Sequence, residues 1–364
     1  MKVKDITNYL ESIAPLSLQE LYDNAGLITG NKNTEITGIL VTLDTIPEVI
    51  DEAIEMNANL IISHHPIIFK GLKKINGNNY IEQTIIKAIK NDIAIYAVHT
   101  NLDNISEGVN SILCNKLGLI NCKPLLPKEN HLRKLVTFVP QNHIEKVREA
   151  IFVAGAGQIG NYDNCSFNAE GIGTFRAGKN TNPFVGEKNK LHKEPEIRFE
   201  TVFPYYLERR IINVLIQTHP YEEVAYDIYT LNNKFEKTGA GMIGELENEI
   251  SEIDFLKKIK TTLNTGTIRH TKFLKKPIKK IALCGGSGSF LLKNAIQQKA
   301  DIYISADFKY HEFFDADNKI LIADAGHFET EQFTKELIFD ILTKKFNNFA
   351  CFLSKVNTNP INYL

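Results

Sequence analysis

From Ile36 onward, near-continuous apolar runs alternate with amphipathic segments: Ile36–Leu43, Asn59–Ile62 and Ile93–Val98 read as strands. Between and after them Pro47–Asn57, Ile81–Asn91 and Glu107–Leu117 read as helices. Strands apolar along their whole length must be buried on both faces, and helical crossovers between them place successive strands side by side in the same direction. The pattern therefore predicts an α/β fold, with mainly parallel sheets covered by helices on both faces. Pro47 stands where a first helical turn accepts it.

The alternation breaks at Asn121-Cys122-Lys123-Pro124-Leu125-Leu126-Pro127, a prolyl stretch of the kind that marks domain boundaries. The chain beyond it reads as strand (Leu135–Val139), helix (Ile144–Ala154), glycine-studded strand region, strand (Ile197–Val202), helix (Leu207–Thr218) and strand (Val224–Tyr229). This βαββαβ order is that of a ferredoxin-like (α+β) module. After Lys237 the α/β alternation returns, through strands at Met242–Leu246, Ile278–Cys284, Ile302–Ser305 and Ile320–Ala323 to a long helix expected from His327. The expected organisation is one α/β unit in two parts, 1–127 and 235–364, interrupted by an inserted domain at 128–234.

Composition removes several function classes. With 42 Lys+Arg against 43 Asp+Glu the chain has no bulk electrostatic reason to bind nucleic acid or an anionic membrane, and nucleic acid is not expected as a partner. The amphipathic opening and the absence of a long apolar stretch predict a cytosolic protein without a membrane segment. Five scattered cysteines without a Cys-x-x-Cys pair suggest reduced thiols in place of disulfides or a thiolate zinc site.

Chemistry collects where strands end. Ile61-Ile62-Ser63 stops on His64-His65-Pro66, Ile93–Val98 stops on His99-Thr100-Asn101-Leu102-Asp103, and a third strand stops on Asp324-Ala325-Gly326-His327-Phe328-Glu329-Thr330-Glu331. In open α/β sheets ligands bind beyond the carboxyl ends of strands, so these motifs should face one crevice. His327 and Glu331, four apart at a helix start, project from one face. His64, His65, Asp103, His327 and Glu331 exceed what one tetrahedral ion needs and suit two divalent ions with a shared carboxylate, about 3.5–4 Å apart in such sites. Nitrogen and oxygen ligands without thiolate leave Zn, Fe, Mn, Co or Ni open. His99 is a candidate proton shuttle, and His311, which also follows a strand end, a candidate pocket residue. Cys284-Gly285-Gly286-Ser287-Gly288-Ser289 lacks the Lys-Ser/Thr of a phosphate loop and reads as close helix–strand packing. His219-Pro220-Tyr221-Glu222-Glu223 in the insert reads as an exposed turn.

Ser-His-His-Pro, His-Thr-Asn-Leu-Asp and Gly-His-Phe-Glu-Thr-Glu, in that order with a long insertion before the last, closely resemble the NIF-three-like family, whose members often carry the name GTP cyclohydrolase 1 type 2 homolog. Tyr22-Asp23-Asn24-Ala25-Gly26 is similar to its N-terminal signature. The resemblance implies a dinuclear metal site made by His64, His65, Asp103, His327 and Glu331, with Glu331 bridging, in toroidal homohexamers. It also implies that the insert is PII-like or CutA-like. The function expected is a metal-dependent hydrolase, in which a metal-bridging hydroxide attacks a C–N or P–O bond of a small substrate, nucleotide-like molecules included, with His99 or His311 managing protons. The alternative is a metal-handling or sensing protein without turnover.

Overall fold

The structure is a computed structural model that describes residues 1–364. The chain forms two compact units, Met1–Pro127 together with Glu236–Leu364, and the contiguous segment Lys128–Phe235.

The first unit holds two sheets. In one, the spatial order is Gly26–Thr29, Ala94–Ala97, Leu60–Ser63, Ile39–Thr42, Cys351–Leu353. The last four of these run parallel, with Thr42, Ser63 and Ala97 in register, whereas Gly26–Thr29 lies antiparallel against Ala94–Ala97. One face of this sheet packs Ile39, Val41, Leu60 and Ile62 with Val3, Ile6 and Leu10 of the helix Val3–Ile13 and Ile338 and Leu342 of the helix Thr334–Lys345. The other packs Leu40, Ile61 and Ile95 with Val49 and Ile50 of Pro47–Glu55 and Ile85 of Tyr80–Lys90. Both faces are covered, which is why these strands carry no polar alternation.

The second sheet runs Arg269–His270, Leu321–Asp324, Ile302–Ala306, Ile278–Ser287, Phe235–Ile250, Ile120–Lys128. Its three central strands are parallel. Arg269–His270 pairs antiparallel with Leu321–Asp324, and Phe235–Ile250 antiparallel with Ile278–Ser287. The expectation of mainly parallel sheets is thus corrected to mixed sheets with parallel centres. Edge strands need not be fed by a crossover helix, so the helix–strand alternation carries no information about their direction. Leu113, Phe255 and Ile259 cover one face of this sheet, and Leu291, Leu292 and Ala295 the other.

Two local expectations also change. The long helix from His327 is broken into His327–Glu331 and Thr334–Lys345. At the break the Gln332 side-chain amide donates to the carbonyls of Glu329 and Leu263. Gly26–Thr29, which the sequence pattern did not mark as a strand, is one that begins and ends beside positive-φ glycines, Gly26 and Gly30.

The second unit has one four-stranded antiparallel sheet of spatial order Ser166–Arg176, Leu191–Pro204, Leu132–Pro140, Tyr226–Leu231. The helices Ile144–Val153 and Glu208–Thr218 pack Val147, Ile151, Ile211 and Leu215 against Leu135, Val139, Phe199 and Phe203 on one face only. With the chain order βαββαβ, this is the split-βαβ topology.

Candidate metal centre

The parallel register of the first sheet does the first part of the assembly. Thr42, Ser63 and Ala97 stand side by side, so the residues just beyond them, Asp44, the pair His64-His65, and His99, emerge at one edge. In the second sheet Ser305 and Asp324 are register partners, so the segments beyond them deliver His327 to the same cavity in this unit, with Asp307 bonded to its ring. The cavity has a volume of about 430 Å³, and its lining includes His65, His99, Asp103, His327 and Glu331.

Each imidazole is fixed through Nδ1. His64 Nδ1 lies 2.8 Å from the Val98 carbonyl oxygen, His65 Nδ1 2.7 Å from Asp44 Oδ1, His99 Nδ1 2.7 Å from Asp23 Oδ1, and His327 Nδ1 2.7 Å from Asp307 Oδ2. An oxygen acceptor at Nδ1 places the proton there and leaves Nε2 as the ligating nitrogen, the arrangement typical of metal-binding histidines. The four rings gather closely: the His64–His65, His64–His99, His65–His99 and His65–His327 centroids are 4.8, 5.2, 5.3 and 5.4 Å apart.

Glu331 is the hub. Its Oε2 lies 3.0 Å from His65 Nε2 and 3.0 Å from His327 Nε2, while Oε1 faces His64 Nε2 at 3.9 Å. Asp103 Oδ1 approaches the same His64 nitrogen at 3.6 Å. His64 Nε2 and Asp103 Oδ1 are both shielded from solvent and have no hydrogen-bond partner. A buried polar atom left unpaired costs free energy, and two facing each other across a gap too long for a hydrogen bond are what a cation between them would satisfy. The residues therefore fit a divalent ion. His64, His65 and His99 form one group able to hold such an ion, and His65, His327 and Glu331 another.

Electrostatics in the metal-free chain agree with that geometry. Burial alone would lower the His65 imidazole, but the carboxylates of Asp44 and Glu331 outweigh it and push it up to about 10. Burial is likewise overcome at His327, which Glu331 and Asp307 push up to about 11. Burial would raise Glu331, yet His327, His64 and His65 hold it well below the usual carboxylate range. Asp103 is pushed up to about 7 by burial, His64 pulling it down and Glu331 adding repulsion. Without metal, imidazolium protons hold this cluster of carboxylates together; a divalent ion would replace them.

Glycine makes room for the hub. A Cβ on Gly286 would lie 2.2 Å from Glu331 Oε1 and 3.1 Å from His327 Nε2, and the residue has φ +61°. The backbone N–H groups of Gly285 and Gly286 donate to Asn110 Oδ1 and Thr330 Oγ1, so this loop is occupied with packing and not open to a phosphate.

The structure thus brings together His64, His65, His99, Asp103, His327 and Glu331. It does not bring in His311, which sits exposed on the turn Tyr310–Ala316 with its ring against Tyr310 and Phe314, outside the cavity lining. Sequence reading gave no role to the three carboxylates that hold the rings, Asp23 of the N-terminal signature, Asp44 and Asp307. It also missed the C-terminal segment, where Thr358 Oγ1 donates to Asp44 Oδ2 at 2.6 Å and Asn359, Pro360 and Ile361 line the cavity. His219, read as part of an exposed turn, is buried. Its Nε2 donates to the Phe138 carbonyl and its Nδ1 accepts from the Tyr221 N–H.

Known proteins share this architecture. The profile of the Duf34/NIF3 (NGG1p interacting factor 3) family matches residues 1–360. The chain is 39% identical to the GTP cyclohydrolase 1 type 2 homolog of Bacillus subtilis, over 99% of this chain and 98% of that protein. It is 38% identical to the homolog of the same name from Halalkalibacterium halodurans, over 99% and 98%. The crystal structure of a Bacillus cereus protein related to NIF3 superposes with a TM-score of 0.88 at 38% identity, covering 100% of this chain and 99% of that one. No helix of the chain is long and apolar enough to cross a membrane.

Proposed function

The chain belongs to the Duf34/NIF3 family, and we propose that it is a dinuclear divalent-metal hydrolase acting on a small, nucleotide-like substrate. The observation that carries this is the convergence of His64, His65 and His327 Nε2 on the two oxygens of Glu331, beside the unpartnered Asp103 Oδ1. His64, Asp103 and Glu331 Oε1 would hold one ion; His65, His327 and Glu331 Oε2 the other. Held there, such ions would supply Lewis acidity and would lower the pKa of bound water.

The chain's own residues do the rest. Asp44 and Asp307 orient their imidazoles and raise their basicity as ligands. His99 stands beside the ligands with Nδ1 on Asp23, whose carboxyl stays at about 2 because its bonds to His99 and Thr100 overcome burial. Its Nε2 is left to take a proton from a nucleophile and return it to a leaving group. Tyr22, Phe69, Phe290 and Phe328 supply apolar walls around this polar floor, the composition of a small-molecule site. The unit Lys128–Phe235 is read as a PII-like or CutA-like module, supported by its split-βαβ topology, and the assembly as a toroidal homohexamer.

Reconstitution with Zn, Fe, Mn, Co or Ni followed by elemental analysis, with turnover assays on GTP, phosphodiesters and cyclic amidines, tests the reading. Two ions per chain and metal-dependent turnover of one class are expected. Fewer than one ion per chain overturns the dinuclear centre. A full metal load with no turnover but rapid transfer to an apo-acceptor would assign the site to metal handling.

A further inference from the structure

The second unit covers only one face of its sheet with helices. On the other face register places Ala169 and Gly171 opposite Arg198 and Glu196, and Phe138 opposite Arg198. Ala169, Gly171 and Gly173 alternate along one strand and so share that face, leaving this stretch of the strand nearly bare of side chains. Over the bare stripe opens a cavity of about 630 Å³, walled by Phe138, Phe175, Phe184 and Tyr221. The Phe175 and Phe184 ring centroids lie 6.1 and 6.3 Å from that of Tyr221. The hydrogen bonds of His219 to the Phe138 carbonyl and the Tyr221 N–H anchor the turn that carries Tyr221.

One buried carboxylate stands in this hollow. Glu196 is 8% exposed. Its Oε1 accepts from the Tyr221 hydroxyl at 2.8 Å. Its other oxygen occupies the space a side chain at position 173 would take: a Cβ there would lie 2.1 Å from Oε2. Arg198, the nearest basic residue in sequence, is bound through Nε to Glu200 Oε1 at 2.8 Å, with its guanidinium 6.0 Å over the Phe138 ring. Glu170, Glu222 and Glu223 add negative charge to the lining, against Arg176 and Arg198.

We propose that this hollow is a binding site for a small organic cation, a primary ammonium or guanidinium carried on an apolar or aromatic body. A desolvated carboxylate with one oxygen already held presents a single strong acceptor, and a donor cation answers it with a charge-assisted hydrogen bond. Aromatic faces attract the same charge, and the apolar body packs on them beside Gly171, where no side chain stands in the way. An anion would have to lose its hydration beside Glu196, and a metal ion would find one buried carboxylate with both His219 nitrogens already engaged.

Titration calorimetry of the full-length protein with phenethylamine, agmatine and putrescine, beside neutral phenethyl alcohol, tests the site. At least one amine should bind saturably at one per chain, with the alcohol about tenfold weaker or more. Glu196→Gln should weaken that amine about tenfold while leaving far-UV circular dichroism and metal content unchanged. Gly173→Ala, whose methyl would displace Oε2, should weaken it without removing the carboxylate. Failure of every amine to saturate at about millimolar concentration, equal binding of the alcohol, or wild-type affinity in Glu196→Gln overturns the proposal.

Discussion

Replacing Glu331 by glutamine keeps shape and removes the charge on which two imidazoliums and the His64 nitrogen converge. In metal-free protein near pH 6, His65 and His327 are protonated and each donates to Oε2 at 3.0 Å. Breaking a buried ion pair by removing one partner costs about 3–5 kcal/mol, but Asp44 and Asp307 remain to hold the cations, so roughly 2 kcal/mol is expected. For a body of this size that lowers Tm by about 4–8 °C. The pH dependence has a definite sign. Both histidines titrate above the ordinary 6.5, at about 10 and about 11, so the stability they contribute is fully present below about 6.5 and lost as pH rises through those values. Glu331 titrates below the ordinary 4.5, so its contribution is present above that value and fades as acid protonates it. The gap between wild type and variant should be widest near pH 5–6.5 and close toward pH 10–11. Thermal melts of chelator-stripped protein across that range are the assay. A gap that is constant, or that grows with pH, would refute the account of Glu331 as a carboxylate clamped by imidazoliums.

Asp44→Asn keeps a hydrogen bond to His65 Nδ1 but weakens its basicity, and metal affinity should fall about 10–100-fold, measured by competition with a chromogenic chelator. Metal loading at pH 8 should release protons from His65 and His327, read by calorimetry in buffers of different ionisation enthalpy; a signal independent of buffer would contradict it. Gly286→Ala should destabilise the chain by about 1–2 kcal/mol from its left-handed backbone alone and, because the methyl collides with Glu331 Oε1, should lose both ions by elemental analysis.

The candidate ligands were legible because His64-His65 and the motifs that carry Asp103, His327 and Glu331 begin where apolar strands stop, and parallel strand ends lie together by construction. Their supports were not. Asp44 and Asp307 are single acids two and one residues past a strand, indistinguishable in sequence from turn residues until the register sets them beside His65 and His327. His311 shared the same cue, a position after a strand, and shows its weakness: the chain beyond Ala306 turns away and leaves the ring exposed on Phe314. Direction failed at sheet edges for a related reason. Gly26–Thr29 is four residues long with no helix feeding it, so nothing in its pattern separates it from a loop.

The segment 128–235 should be dispensable for metal. Every proposed ligand, and every acid that holds one, lies in Met1–Pro127 or Glu236–Leu364. The strands Ile120–Lys128 and Phe235–Ile250, where the chain leaves and re-enters this unit, are neighbours in one sheet. The contact is close at the junction: a Cβ on Gly239 would lie 2.6 Å from the Leu126 carbonyl oxygen and 3.0 Å from Pro127 Cα. A linker of about four Gly/Ser residues in place of 129–234 therefore closes a hairpin at little entropic cost. The helices covering both sheets of the first unit are untouched, so the variant should fold with its own core and bind metal with the stoichiometry and affinity of the full chain. Elemental analysis and melts of the deletion variant, loaded and stripped, read this directly. A variant that melts cooperatively yet holds no metal would show that the centre depends on residues it lacks, and the assignment of all ligands to one unit would fall.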